Sequence, residues 1–235
     1  MSKDRIFEIQ HKIDYEFNNI QLLYQAMAHS SYINDHKMNK LNSNERLEFL
    51  GDSVLELISS EFLYEQYPEK PEGELTKLRA SLVSEGPLAQ VARQLCLGDY
   101  ILLSHGEERM GGKNRDSITS DAVEALLGAI YLDGGIDEAR RFTYRFILND
   151  IEKKQLFYDS KTVLQEIIQK YHLGTLSYNL IREEGPDHDK MYEVNAVLDG
   201  RVIGNGRGRT KKNAQQKAAY AAIRTIGKSE TGKTN

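Results

Sequence analysis

Glu45, Glu48 and Asp52 stand at i, i+3 and i+7 in the stretch Asn-Glu-Arg-Leu-Glu-Phe-Leu-Gly-Asp at residues 44–52. If that stretch is helical, the three carboxylates share one narrow arc, and Leu47, Leu50 and Val54 form the opposite, apolar stripe. Like charges at this spacing repel, so the helix is destabilised unless something cationic sits among them. Two readings are open: the solvated face of an amphipathic helix, or a face that holds a divalent metal. Gly51 bears on the choice. A glycine inside a helix costs about 1 kcal/mol relative to Ala, and its presence predicts close approach of another backbone.

A second acid pair, Asp121 and Glu124, stands at i, i+3 in Ser120-Asp-Ala-Val-Glu-Ala, where the pattern predicts a helix start. Alone it needs no function, because an acid in a first helical turn is stabilised by the helix dipole. Clustered with two acids of the first face, it would complete a four-carboxylate, hard-oxygen site suited to Mg²⁺ or Mn²⁺.

The chain that must position these acids has 235 residues, enough for one large or two modest domains. Its 40% hydrophobic content includes no long apolar run, so no membrane span is expected. Residues 1–10 are charged and lack the apolar segment of a signal peptide. Cys96 is the single cysteine, which excludes disulfides within the chain and cysteine–zinc sites. It lies between Leu95 and Leu97 and is expected to be a buried thiol. A cytoplasmic location is expected. The net charge of −4 is unevenly spread: residues 1–155 carry 18 Lys and Arg against 26 Asp and Glu, and residues 156–235 carry 13 against 9. An acidic body with a basic end predicts two domains, the second with a polyanionic partner.

Apolar positions recur at helical spacing in Arg5–Ile13, Ile20–Ala28, Glu45–Tyr64, Leu75–Val83, Leu88–Leu95, Asp121–Tyr131 and Glu138–Ile151. Gly134-Gly135 predicts a break between the last two, and the glycine-rich stretch His105–Ser117 predicts a mobile loop. Beyond a polar connection the pattern changes. Lys161–Tyr171 reads as a helix, Leu176–Glu183, Met191–Asp199 and Arg201–Gly206 as strands, and Lys212–Ile226 as an Ala-rich helix, followed by a frayed tail. The expected domains are 1–152, a linker at 153–158, an α-β-β-β-α unit at 159–228, and a tail at 229–235.

The run at 44–55 resembles the signature motif of ribonuclease III, and Asp121–Gly135 resembles that family's second acidic segment. Ala28-His-Ser-Ser-Tyr32 and Leu75-Thr-Lys-Leu-Arg79 match further family stretches in order, and the C-terminal unit resembles a double-stranded-RNA-binding domain. The resemblance covers nearly the whole chain, in the domain order of the short bacterial form. It implies an all-α endonuclease domain followed by a small α+β RNA-binding domain. It further implies Mg²⁺-dependent hydrolysis of double-stranded RNA to 5′-phosphate and 3′-hydroxyl ends, processing of ribosomal, messenger and transfer RNA precursors, and a homodimer holding two sites across the duplex.

By the same resemblance Glu48, Asp121 and Glu124 ligate the metal, Asp52 orients the attacking water or lies close to the metal, and Asp52 and Glu124 are catalytic. Glu45 is expected to support the site, and His29 to make a structural hydrogen bond. Thr162, Gln165, Glu166 and Gln169 share one helical arc, which ordinary amphipathic polarity accounts for; the sharper reading is that this face of amides and a carboxylate meets the 2′-hydroxyls of a minor groove. His188 would reach a second minor groove. Arg207, Arg209, Lys211 and Lys212 would meet phosphates, with Gly204, Gly206 and Gly208 allowing close backbone approach. The family commonly carries a third lysine where this chain has Gln215, and Lys217 or Arg209 is expected to compensate. The competing readings are a non-catalytic RNA-binding protein on a degenerate nuclease fold, which should have lost one of the four acids, and a phosphohydrolase of small substrates, which leaves the C-terminal unit unexplained.

Overall fold

A computed structural model describes residues 3–149, 151, 160–185 and 190–231, without the side chains of residues 3, 4 and 226–231. The chain divides into two compact units, 1–150 and 151–235. The first is helical: α1 (Lys3–Ile13), α2 (Ile20–Ala26), α3 (Ser30–Asp35), α4 (Glu45–Gln66), α5 (Glu72–Val83), α6 (Glu85–Leu95), α7 (His105–Arg109) and α8 (Asp116–Phe142).

At the centre α4 packs on α8. From α4 come Leu47, Val54, Leu55, Ile58 and Leu63, and from α8 Ala122, Val123, Leu126, Leu127 and Ile130, all buried. Such long apolar stripes are what hold helices of this length together. Gly51 and Gly128 let the two backbones meet. A Cβ on Gly51 would overlap the Glu124 carbonyl, and one on Gly128 the Leu47 carbonyl. The close approach predicted from Gly51 is therefore made to α8 of the same chain.

Three local expectations change. The helix carrying Asp121 begins at Asp116, so Asp121 lies more than a turn inside it, and Gly135 alone breaks it, with φ 81°. The stretch His105–Ser117 is not an open loop. It forms α7, a 3₁₀ turn at Gly112–Asn114 and the start of α8, tied by Glu107–Arg115 and Glu108–Lys113 ion pairs. Cys96 is exposed, because it takes a left-handed conformation (φ 54°) that ends α6 and turns its side chain outward while Leu95 and Leu97 are buried. No described helix is long and apolar enough to cross a membrane.

The second unit holds α9 (Ser160–Lys170), β1 (Leu176–Glu184), β2 (Met191–Leu198), β3 (Arg201–Gly208) and α10 (Lys211–Thr231). The strands form an antiparallel sheet in the order β1-β2-β3. Leu164 and Ile168 of α9, Val194 and Ala196 of β2, and Ala214, Ala218, Ala219 and Ala222 of α10 make the core. The alanine stripe and facing glycines bring α10 tight onto β3: Cβ atoms on Gly204 and Gly206 would strike the α10 backbone. That close approach is to a helix of the same unit, not to a ligand. The last helix also continues past the expected end at Ile226, to Thr231.

Candidate active site and RNA-binding surface

The start of α4 is anchored through the main chain. Asn44 N–H donates to the Ala28 carbonyl at 2.9 Å, Leu102 N–H to the Met27 carbonyl at 2.7 Å, and His29 N–H to the Leu102 carbonyl at 3.2 Å. His29 then caps α3: its Nδ1 accepts the Ser31 N–H at 3.2 Å and lies 2.8 Å from Ser31 Oγ. Since Nδ1 accepts from a backbone amide, the neutral ring carries its proton on Nε2. His29, Ser30, Asn44, Glu45, Glu48 and Asp121 line one cleft of about 430 Å³.

The α4–α8 crossing brings Glu48 to the Asp121 and Glu124 pair. Glu48, Asp121 and Glu124 each offer a carboxylate oxygen, and these atoms lie within 4.8 Å of one another. All three side chains are half-buried, whereas Glu45 and Asp52 are exposed at the margin. Ser43 Oγ donates to Glu45 Oε2 at 2.9 Å and holds that side chain at the edge.

Crowding raises the proton affinity of the cluster. Burial, then repulsion from Asp52, Asp121 and Glu48, pushes Glu124 up to about 8. Burial, then Asp121, Glu45 and Asp52, pushes Glu48 up to about 6. Burial also raises Asp121, opposed by the Ser120 hydroxyl and by His29. No described lysine or arginine contributes to the electrostatics of these three acids. An uncompensated set of converging carboxylate oxygens is the donor chemistry of a hard divalent cation, so the residues fit such an ion.

In the second unit Thr162, Gln165, Glu166 and Gln169 are exposed together along α9. Arg209, Lys211 and Lys212 are exposed at the start of α10, where Thr210 Oγ1 accepts the Asn213 N–H at 3.1 Å. Lys211 stands 3.8 Å from Glu183 Oε2 and over the Tyr192 ring. Arg207 is placed apart from this group. On β3, Gly206 and Gly208 face α10, so Arg207 between them points from the opposite face, where it donates to Glu193 Oε2 at 2.7 Å. His188 lies outside the described residues. One cation was passed over at the level of sequence: Lys161, whose Nζ donates to Gln215 Oε1 at 2.7 Å. Its place on the first turn of the α9 segment was the only signal available.

The helical unit with converging acids and the α-β-β-β-α unit together define a metal-dependent nuclease joined to an RNA-binding module. Residues 19–151 match the Ribonuclease-III-like family, and residues 160–226 match the double-stranded RNA binding motif. Ribonuclease 3 from several Staphylococcus aureus strains is 44% identical over 217 residues, spanning 92% of this chain and 89% of the relative. A solved nuclease domain of ribonuclease III from Campylobacter jejuni, described for flexibility in the region involved in dimer formation, superposes with a TM-score of 0.57. It is 44% identical and covers 60% of this chain and 95% of that one. The chain belongs to the ribonuclease III family and is an endoribonuclease.

Proposed function

We propose that this chain is a Mg²⁺-dependent, double-strand-specific endoribonuclease that leaves 5′-phosphate and 3′-hydroxyl ends on ribosomal and other structured precursor RNAs. The observation that carries this reading is the meeting of Glu48, Asp121 and Glu124 oxygens within 4.8 Å, in a chain that also holds a double-stranded-RNA-binding unit. Glu48, Asp121 and Glu124 would hold the ion, with Mn²⁺ a possible substitute. When bound, the ion supplies Lewis-acid polarisation of the phosphate and stabilisation of the leaving 3′-oxygen. Asp52, one turn along α4 from Glu48, orients the attacking water. Glu124, whose proton affinity lies close to neutrality, is the acid on which cleavage depends most. Glu45, fixed by Ser43, supports the rim of the cleft.

The catalytic domain is assigned to residues 1–152 and the RNA-binding domain to 159–228. The exposed α9 face reads a minor groove, and Arg209, Lys211 and Lys212 meet phosphates, contacts largely independent of sequence. His188 is assigned a second minor-groove contact by family pattern alone. Among the described residues one chain supplies one such acid cluster, whereas cutting both strands needs two, so the active species is a cytoplasmic homodimer. Exposed Phe49, Leu57 and Tyr64 on one face of α4 support it, as does the groove of about 680 Å³ that Leu57 and Tyr64 line with Leu75.

The test is incubation of duplex and single-stranded RNA with Mg²⁺, followed by mapping of the ends. Duplex cleavage to 5′-phosphate ends, abolished by Glu124→Ala with binding in Ca²⁺ retained, is expected. Full residual cleavage by that variant would remove the site assignment, and equal cleavage of single strands would remove the substrate assignment.

A further inference from the structure

Lys161 comes from the first turn of α9, yet its ammonium is delivered to α10. Its Nζ donates to Gln215 Oε1 at 2.7 Å, its backbone N–H donates to Gln216 Oε1 at 2.8 Å, and its Nζ lies 5.1 Å from the Tyr178 ring centroid. Gln215 stands at i+4 from Lys211 and i+3 from Lys212, so the captured ammonium joins their side of the helix.

Each of these contacts orients the charge, and none cancels it. Gln215 is a neutral acceptor and Tyr178 offers a ring face. Neighbouring cations differ: Lys190 pairs with Glu183, Lys211 approaches the same Glu183, and Arg207 pairs with Glu193. Among the described residues no carboxylate lies within ion-pair reach of Lys161. A free lysine loses rotamer freedom when it is fixed on a ligand, and here the fold has already imposed much of that order. A glutamate at 215 would pair with Lys161 and mask it, whereas glutamine takes one donor and leaves the charge and two donors on a positioned cation.

We propose that Lys161 is a further phosphate-contacting residue of the duplex-RNA surface, presented by Gln215 and Tyr178 beside Lys211 and Lys212. The proposal rests on the RNA-binding reading of the second unit, and it replaces Lys217 or Arg209 as the cation that compensates for the glutamine.

The experiment is binding of the full chain to a ~20-bp RNA duplex in Ca²⁺ across a range of salt. Removing one lysine–phosphate interaction lowers the slope of log affinity against log salt by about 1. Lys161→Gln is expected to lower the slope by about 1, and Lys161→Arg to retain it. Gln215→Glu keeps the lysine but neutralises it, so it is expected to match Lys161→Gln, and it decides the matter if Lys161→Gln does not fold. An unchanged slope in a folded Lys161→Gln, or in Gln215→Glu, overturns the proposal while leaving the RNA-binding reading intact. Absence of duplex binding by the unmodified chain overturns both.

Discussion

Gly51 of α4 and Gly128 of α8 sit against each other's helix at the crossing that builds the acid cluster: a Cβ on the first would enter the Glu124 carbonyl, and one on the second the Leu47 carbonyl. The carbonyl that Gly51 admits thus belongs to a candidate metal ligand, and Glu48 follows Leu47 directly on the other helix. Steric closeness and site geometry are one constraint. Gly51→Ala and Gly128→Ala should each destabilise the protein by about 1–3 kcal/mol or more, since backbone rather than a side-chain end must yield. Both should weaken divalent-metal binding, and the double variant should cost less than the two singles combined, because one separation relieves both clashes. Denaturant unfolding and Mn²⁺ titration check this. A folded Gly51→Ala with full metal affinity would show that the crossing does not set the cluster.

The raised acids predict a pH dependence. Glu124 lies at about 8 and Glu48 at about 6, against an ordinary 4.5 for each. Between those values the folded, metal-free chain binds more protons than the unfolded one, so its stability falls as pH rises through that window. Glu124→Gln removes most of this loss and should raise the metal-free Tm near pH 8, at roughly 2–4 °C for each kcal/mol relieved. Metal binding needs the carboxylates ionised, so apparent affinity should climb from pH 6 to pH 8 with protons released on binding. Calorimetric titration in buffers of different ionisation enthalpy measures both. Affinity independent of pH would mean that these acids do not hold the ion.

Much of the site was legible because it is local. Helical spacing put Glu45, Glu48 and Asp52 on one face and Asp121 beside Glu124, but it left a solvated face open as an alternative until the family resemblance joined the two segments, and Gly51 signalled a close neighbour by its cost. What Gly51 meets was not legible, since a glycine reports the need for room but not the neighbour. The start of α8 at Asp116 was hidden as well. Asp-Ser-Ile-Thr-Ser is weak helix sequence, made helical by the burial of Ile118, Thr119 and Ser120, with the Thr119 and Ser120 hydroxyls satisfied by the Arg115 and Ser117 carbonyls. Arg207 shows a third limit. On a strand, a single residue of register decides the face, and only the packing of α10 on Gly206 and Gly208 fixes it. The alliance of Lys161 with Gln215 crosses 54 residues of sequence and leaves no periodic trace.

The exposed apolar face of α4 predicts the oligomeric state. Phe49 is 78% exposed and Tyr64 74%, a large apolar area to leave in water on one helix face. Phe49→Asp points away from the core, so the fold should persist with little change in Tm. The proposed homodimer should weaken by at least about tenfold, because a charge in an apolar interface must be desolvated. Sedimentation at several concentrations reads the shift. A Phe49→Asp chain that dimerises as tightly as the unmodified one would move the interface elsewhere.

Arg207 and Lys212 stand on opposite sides of the second unit, and duplex binding should tell them apart. Arg207 commits its guanidinium to Glu193 across the sheet face that α10 leaves open. Lys212 is exposed at the N-terminal turn of α10, where the helix dipole already favours phosphate. Lys212→Ala should therefore lower the salt slope of duplex binding by about 1 and weaken affinity at every sequence alike. Arg207→Ala should leave the slope unchanged, at a stability cost within about 1 kcal/mol, the ordinary worth of an exposed ion pair. If instead Arg207→Ala lowers the slope as Lys212→Ala does, the RNA reaches the open face of the sheet. The assignment of the surface to α9 and the start of α10 would then have to be redrawn.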